Sequence, residues 1–151
     1  YPNVEFHICG YCEEDYKAAI KEKTLAGEVI YHGLVDDVKP YEEKCHCVVL
    51  PSFHPEGISN VLLEGAACAR PLITTDHAGC QETVTDGVTG YIVKQRNSKD
   101  LIDKMIRFIK LSYEEKVQMG IEGRKKVEKE YDRKIVVDCY MKEIEELGRK
   151  I

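Results

Sequence analysis

The chain has no run of about 18 apolar residues, so nothing in it reads as a membrane-spanning helix. Its first residues, Tyr1-Pro2-Asn3-Val4-Glu5-Phe6, lack the basic stretch and apolar core of a secretory signal. Positive charge is not in excess either: 22 Lys plus Arg face 27 Asp plus Glu, a formal net charge of −5. That balance repels a phosphate backbone on average. The most basic stretch, Arg124-Lys125-Lys126, is flanked by Glu122, Glu128 and Glu130, as on a solvated helix face, and nucleic acid is disfavoured as a partner. Internal repeats, low-complexity segments and obvious linkers are missing too. What is there is one domain's worth of chain: 151 residues, 43% hydrophobic and 32% charged, enough for a core of its own. Seven cysteines make an odd number, so a secreted disulfide framework would leave one thiol over. Reduced thiols in a cytoplasmic protein are the simpler expectation.

Apolar patterning gives strands alternating with helices. Val4 to Ile8 alternates apolar and polar, as a half-buried strand does, and Glu28 to His32 reads as a second short strand. Between them a charged, Ala-containing stretch from Glu13 to Lys23 looks helical. Asp36 or Asp37 can cap a short helix running to Lys44, with Pro40 in its first turn. Cys47-Val48-Val49-Leu50 is a continuous apolar run of the kind that suits a parallel strand covered on both faces. A helix is expected over 59–69, stopped by Pro71, then strands at Leu72–Thr75 and Tyr91–Val93. From Ser98 the spacing of Leu101, Ile102, Met105, Ile106 and Ile109 is helical, and two further helices are expected over Glu114–Tyr131 and Asp132–Leu147, with Asp132 as N-cap. Tyr131 and Tyr140 are expected to pack. The pattern predicts an α/β fold, a Rossmann-like parallel β-sheet flanked by helices with a helical C-terminal tail. Ligands of such open sheets bind at the loops after the strand C-termini. The chain starts within a residue or two of its first strand, which is expected of a fragment cut from something longer.

The richest segment is Leu50-Pro51-Ser52-Phe53-His54-Pro55-Glu56-Gly57-Ile58-Ser59-Asn60-Val61-Leu62-Leu63-Glu64. A buried strand ends, a loop follows, and a helix begins near Ser59 or Asn60. The start of a helix offers unpaired N–H groups and about half a positive charge, a ready seat for phosphate. Gly57 lets backbone approach a ligand closely. Glu64 lies on the same face as Asn60, roughly 6 Å further along the helix. A carboxylate before the helix, amides at its start and a second carboxylate on its flank suit a nucleotide diphosphate-sugar, with hydroxyls at both ends and a pyrophosphate between. The plainer alternative is that Glu56 helps to cap the helix and Glu64 is solvated surface.

Glu56 and Glu64, with seven residues between them, sit in Glu-Gly-Ile-Ser-Asn-Val-Leu-Leu-Glu-Gly-Ala-Ala-Cys-Ala-Arg-Pro-Leu-Ile-Thr-Thr-Asp. This segment resembles the donor-binding half of the family-4 retaining glycosyltransferases of GT-B fold (glycosyl transferases group 1). The likeness covers nearly the whole chain: Tyr1-Pro2-Asn3-Val4, the His32-Gly33 turn, Leu50-Pro51-Ser52, Gly79-Cys80-Gln81-Glu82 and Asp86-Gly87-Val88-Thr89-Gly90. The resemblance implies that Glu56 is the catalytic-centre carboxylate on the transferred sugar and that Glu64 holds the ribose hydroxyls. It implies that the amides of Gly57, Ile58 and Ser59 face the sugar, those of Asn60, Val61 and Leu62 the phosphates, and that Leu34 borders the base. The donor is expected to be a UDP-hexose or UDP-N-acetylhexosamine, transferred with retention to a glycan or lipid-linked acceptor in polysaccharide or capsule biosynthesis. No cofactor and no metal are expected, since no Asp-x-Asp occurs in the chain. Residues 1–151 then form a single nucleotide-sugar-binding domain whose N-terminal, acceptor-binding partner domain is absent, and this chain alone is expected to be inactive. The resemblance implies a cytoplasmic enzyme and leaves room for peripheral association of the full enzyme with the membrane's cytoplasmic face. Ser59 stands where Gly or Pro is commoner in the family, Ala78 where a second Gly is usual, and Cys12 where a glycine is.

Three alternatives stand beside this reading. One is a non-catalytic nucleotide- or sugar-binding module. Another is a thiol redox protein built on Cys9-Gly10-Tyr11-Cys12, since a helix N-terminus can lower a thiol pKa. The third is a zinc site drawn from Cys9, Cys12, Cys45, His46 and Cys47, although alternate side chains entering a strand point to opposite faces. His54 and His77 lie in loops after strands, with no role assigned to either.

Overall fold

The computed structural model describes residues 3–54 and 57–148. Their contacts divide into two compact units, one up to Pro40 and one from Tyr41 onward. The α/β class expected from the patterning is what the chain adopts, and among the described residues every strand pairing is parallel.

The first unit contains β1 (His7–Cys9), α1 (Glu14–Leu25) and β2 (Ile30–Gly33). β1 pairs with β2 from His7 opposite Ile30, and the register shifts between Ile8 and Cys9. The first strand is therefore shorter and later than the Val4–Ile8 alternation suggests. Phe6 is 42% exposed, so that alternation does not bury an apolar face, and pairing begins only where β2 offers partners. α1 buries no residue. It ends in a Schellman turn, with Glu28 N–H donating to Lys23 O and Gly27 N–H to Thr24 O, and Gly27 takes the required left-handed φ of 70°. Tyr31 then donates its hydroxyl to the Gly10 carbonyl at 2.9 Å.

α2 (Lys39–Glu42) lies at the junction of the units. Asp37 Oδ1 accepts from Lys39 N–H at 3.0 Å, the capping expected of an aspartate there. Beyond it come β3 (Val48–Leu50), α3 (Asn60–Ala67), β4 (Leu72–Thr75), a 3-10 turn (Gln81–Thr83), β5 (Gly90–Val93), α4 (Ser98–Ile109), α5 (Tyr113–Glu130) and α6 (Arg133–Gly148). β4 runs between β3 and β5, and all four of its residues are buried. Its alternate side chains feed two cores. Leu72 joins Leu62, Ala66, Cys80, Val84 and Val127, while Ile73 joins Tyr91, Val93, Phe108 and Met119. A Cβ at Gly90 would overlap the Leu72 carbonyl, and one at Gly120 the Ala69 carbonyl, so both close approaches demand glycine. α5 carries a full capping box, Ser112 with Glu115, and Asn97 caps α4 through Asp100 N–H. Asp132 Oδ1 accepts from Lys134 N–H at 2.8 Å at the start of α6. Tyr131 packs against the first core and donates to the Glu82 carbonyl, whereas Tyr140, on the wholly unburied α6, is 68% exposed.

Candidate functional site

α3 starts where the sequence changes from loop to apolar periodicity. Ser59 is the N-cap, with extended backbone, and its carbonyl accepts the first helical bond from Leu63 N–H at 3.1 Å. The amides of Asn60, Val61 and Leu62 precede that bond. Ser59 Oγ does not reach back to cap any of them, and no acidic residue lies in the first turn. Leu62 has no exposed surface and anchors the helix in the core. Val61 is 45% and Ile58 42% exposed, and a Cβ at Gly57 would meet nothing within 4 Å. Glu64, one turn on, is exposed, and its carboxylate has no hydrogen bond or ion pair among the described residues.

The loops after β3, β4 and β5 are tied together by hydrogen bonds. Thr74 Oγ1 donates to Leu50 O at 2.9 Å, and Thr75 Oγ1 donates to Ser52 O, so two buried hydroxyls on β4 hold the exit of β3. Ser59 N–H donates to Gly79 O at 2.9 Å, and Gly79 N–H donates to Glu82 Oε2 at 2.7 Å. The Ser59 amide is thereby engaged within the protein, and the amides of Gly57 and Ile58 are the ones left for a ligand ahead of the helix. Asp76 accepts from Gln95 N–H at 3.0 Å, joining the β4 and β5 loops, and the Arg96 guanidinium lies 4.5 Å over the Phe53 ring. None of these ties was singled out from the sequence. The adjacent Thr74-Thr75 at otherwise apolar positions was the available signal, because a buried hydroxyl must find an acceptor.

Gly57, Ile58, Asn60, Val61 and Glu64 are exposed around the start of α3, whereas Ser59 and Leu62 are buried. Glu56 lies outside the described residues. Leu34 belongs to the first unit, directly after Gly33 at φ 71°, and is 81% exposed. His54 leans on Phe53 with its amide donating to Ser52 Oγ at 3.4 Å, and His77 Nδ1 lies 2.7 Å from Ala78 O.

Cys80 is buried, Cys139 is exposed and the other five cysteines are half-buried. Burial pushes the Cys9 thiol up, the opposite of an activated redox thiol. Cys12 Sγ points to Glu13 O at 3.4 Å, and Glu14 and Asp15 lie in the first turn of α1. Cys47 is pushed far up by burial and by neighbouring Cys45. Among the described residues no three His, Cys, Asp or Glu side chains are placed to hold a metal ion. Among them, too, no helix is long and apolar enough to cross a membrane.

The chemistry available is anion binding by helix-end amides beside a carboxylate suited to hydroxyls. The Glycosyl transferases group 1 profile matches residues 1–110. The chain is 28% identical over 138 residues to an N,N'-diacetylbacillosaminyl-diphospho-undecaprenol alpha-1,3-N-acetylgalactosaminyltransferase of Campylobacter jejuni, covering 91% of this chain and 36% of that protein. It is 33% identical over 104 residues to the capsular polysaccharide biosynthesis glycosyltransferase CapM of Staphylococcus aureus, covering 68% of this chain and 26% of CapM. The chain therefore spans between about a quarter and just over a third of the length of these relatives. Among solved structures, a glycosyltransferase of Rickettsia africae superposes with a TM-score of 0.86 at 17% identity, over 98% of this chain and 41% of that one. Anabaena Alr3699/HepE, crystallised with UDP-glucose, superposes with a TM-score of 0.79 at 20% identity, over 99% of this chain and 42% of that one. At such identities these neighbours establish the fold.

Proposed function

The chain belongs to the Glycosyl transferases group 1 family, and on that premise we propose that it is the donor-binding domain of a retaining glycosyltransferase of GT-B fold. The observation that carries this reading is the N-terminus of α3: three amides with neither a side-chain cap nor a first-turn carboxylate, beside Gly57 and one turn ahead of Glu64. The donor is a UDP-hexose or UDP-N-acetylhexosamine, a reading supported by the UDP-glucose bound in HepE and by the N-acetylgalactosaminyl transfer named for the Campylobacter relative. Transfer goes to a glycan or lipid-linked acceptor in polysaccharide assembly, as the names of the capsular and undecaprenol-linked relatives suggest. The full enzyme works in the cytoplasm or at the cytoplasmic face of the membrane, and the acceptor is held by its other domain.

In this mechanism the diphosphate lies against the amides of Asn60, Val61 and Leu62. The bond from the anomeric carbon to phosphate oxygen breaks, a bond to the acceptor hydroxyl oxygen forms on the same face, and the hydroxyl proton passes to the departing phosphate. Charge grows on that phosphate as the bond breaks, and preoriented amides stabilise it without reorganising. The amides of Gly57 and Ile58 face the sugar, with the preceding loop held by the Ser59–Gly79 bond. Glu56 contacts hydroxyls of the transferred sugar, and Glu64 holds the ribose hydroxyls. No metal is required on this account, so EDTA should leave the full enzyme's rate unchanged.

The test separates the two carboxylates in the full-length enzyme. Glu56→Ala should abolish transfer while leaving UDP affinity nearly intact. Glu64→Ala should raise the Kd for UDP about tenfold, as expected for loss of charge-assisted bonds to hydroxyls. Equal and small effects from both changes would overturn the assignment. The 151-residue chain alone should bind donor and transfer nothing.

A further inference from the structure

Arg96 adopts φ 54°, the left-handed region that favours glycine. It occupies the third position of the turn that Asn97 N–H closes onto Lys94 O at 3.3 Å. An arginine in a glycine slot is a cost that invites a reason beyond the turn itself. The turn is fixed on both sides. Gln95 is bonded through its backbone and side chain to Asp76, Lys94 N–H donates to Asp100 Oδ2, and Asn97 caps α4. The guanidinium rests 4.5 Å from the centre of the Phe53 ring, and Phe53 follows Ser52, which Thr75 anchors. Arg96 forms no ion pair among the described residues, and the Asp76 carboxylate beside its turn already accepts from Gln95 N–H.

These features prepare a cation for an external partner. An aromatic face beside a guanidinium restricts its motion without using its N–H donors, whose planar fork matches two oxygens of a phosphate or carboxylate. Phe53 lies on the same loop as Gly57 and Ser59, and the β5 turn is joined through Asp76 to the β4 loop that holds Ser59. Lysine would supply the charge without the fork.

We propose that Arg96, seated on Phe53, is a donor-binding residue that holds an oxyanion of the nucleotide-sugar, either its diphosphate or a carboxylate on its sugar. The inference rests on the donor-binding reading above and adds to it a residue outside the segment from Gly57 to Glu64. The two sources share one chemistry, a pair of anionic oxygens facing the guanidinium fork.

The experiment titrates the chain, and its Arg96→Gly, Arg96→Lys and Glu64→Ala variants, with UDP, UDP-glucose and UDP-glucuronate, and records each Tm. Glycine removes the guanidinium and suits the backbone, so Arg96→Gly should keep or raise Tm while weakening binding about tenfold. Arg96→Lys should recover only part of that loss. An equal loss for all three ligands identifies the diphosphate; a loss confined to UDP-glucuronate identifies the sugar carboxylate. The proposal is overturned if Arg96→Gly binds all three as the parent does while Glu64→Ala loses UDP, in which case the donor site stands without Arg96. It is also overturned if affinity and Tm fall together, which would make Arg96 a clamp for Phe53. If the unaltered chain binds none of the three, the donor-binding reading fails and this inference with it.

Discussion

The chain treats the starts of its helices differently. α5 opens with a reciprocal capping box and α4 with Asn97 bonded to Asp100 N–H, so donors that the helices leave over find partners at home. α1 has no side-chain cap, but Glu14 and Asp15 place negative charge in its first turn. α3 has neither device, although Ser59, a residue type that caps well, stands at the right position. Instead, Ser59 gives its amide to Gly79 O, and no side chain caps the three amides beyond it. The starts of α1, α4 and α5 are closed by charge or by caps, and that of α3, after β3, is left open to an anion.

The comparison can be broken or sharpened by substitution. The largest effect is expected at Leu62, whose side chain is fully buried directly beneath the open amides. Leu62→Ala should cost about 2–5 kcal/mol in urea denaturation, since a cavity adds to the lost transfer energy. Ser112→Ala, which dismantles the α5 capping box, should cost about 1 kcal/mol by the same measurement. Val61→Glu would make α3 resemble α1. It should raise stability by about 0.3–1 kcal/mol through the helix dipole while weakening UDP binding, a gain and a loss in one variant. The smallest effect is expected of Ser59→Ala, within about 0.5 kcal/mol, because its hydroxyl caps nothing. A loss as large as that of Ser112→Ala would remove the distinction between the helices.

Much of the second unit was legible in the sequence. Leu72–Thr75 is a strand with the expected bounds, a β-rich run bordered by Pro71. Leu101 and Met105 of the expected helical spacing in α4 reach the core beside Phe108, which that spacing does not include, while Ile102 is 53% exposed. The position of α3 could be read to within two residues, since Ser59 and Pro71 bracket it. β1 was harder: Val4 to Phe6 alternates like a strand, but pairing depends on where β2 begins, which no local pattern states. The ties that shape the site were hidden for the same reason. Arg96 and Phe53 are far apart in sequence, and only the neighbouring ends of β3 and β5 beside β4 bring them together. Glu56, the residue with the heaviest role in the proposed chemistry, rests on its motif alone, as it lies outside the described residues.

The most direct test of the open helix end is an NMR titration of the chain with UDP, following backbone amides at the starts of α3, α4 and α5. The account predicts saturable shifts at Asn60, Val61 and Leu62 and at neighbouring Gly57 and Ile58, with Lys99 and Glu114 unmoved. Shifts spread equally over the three helix starts, or none at α3 at saturating UDP, would contradict it.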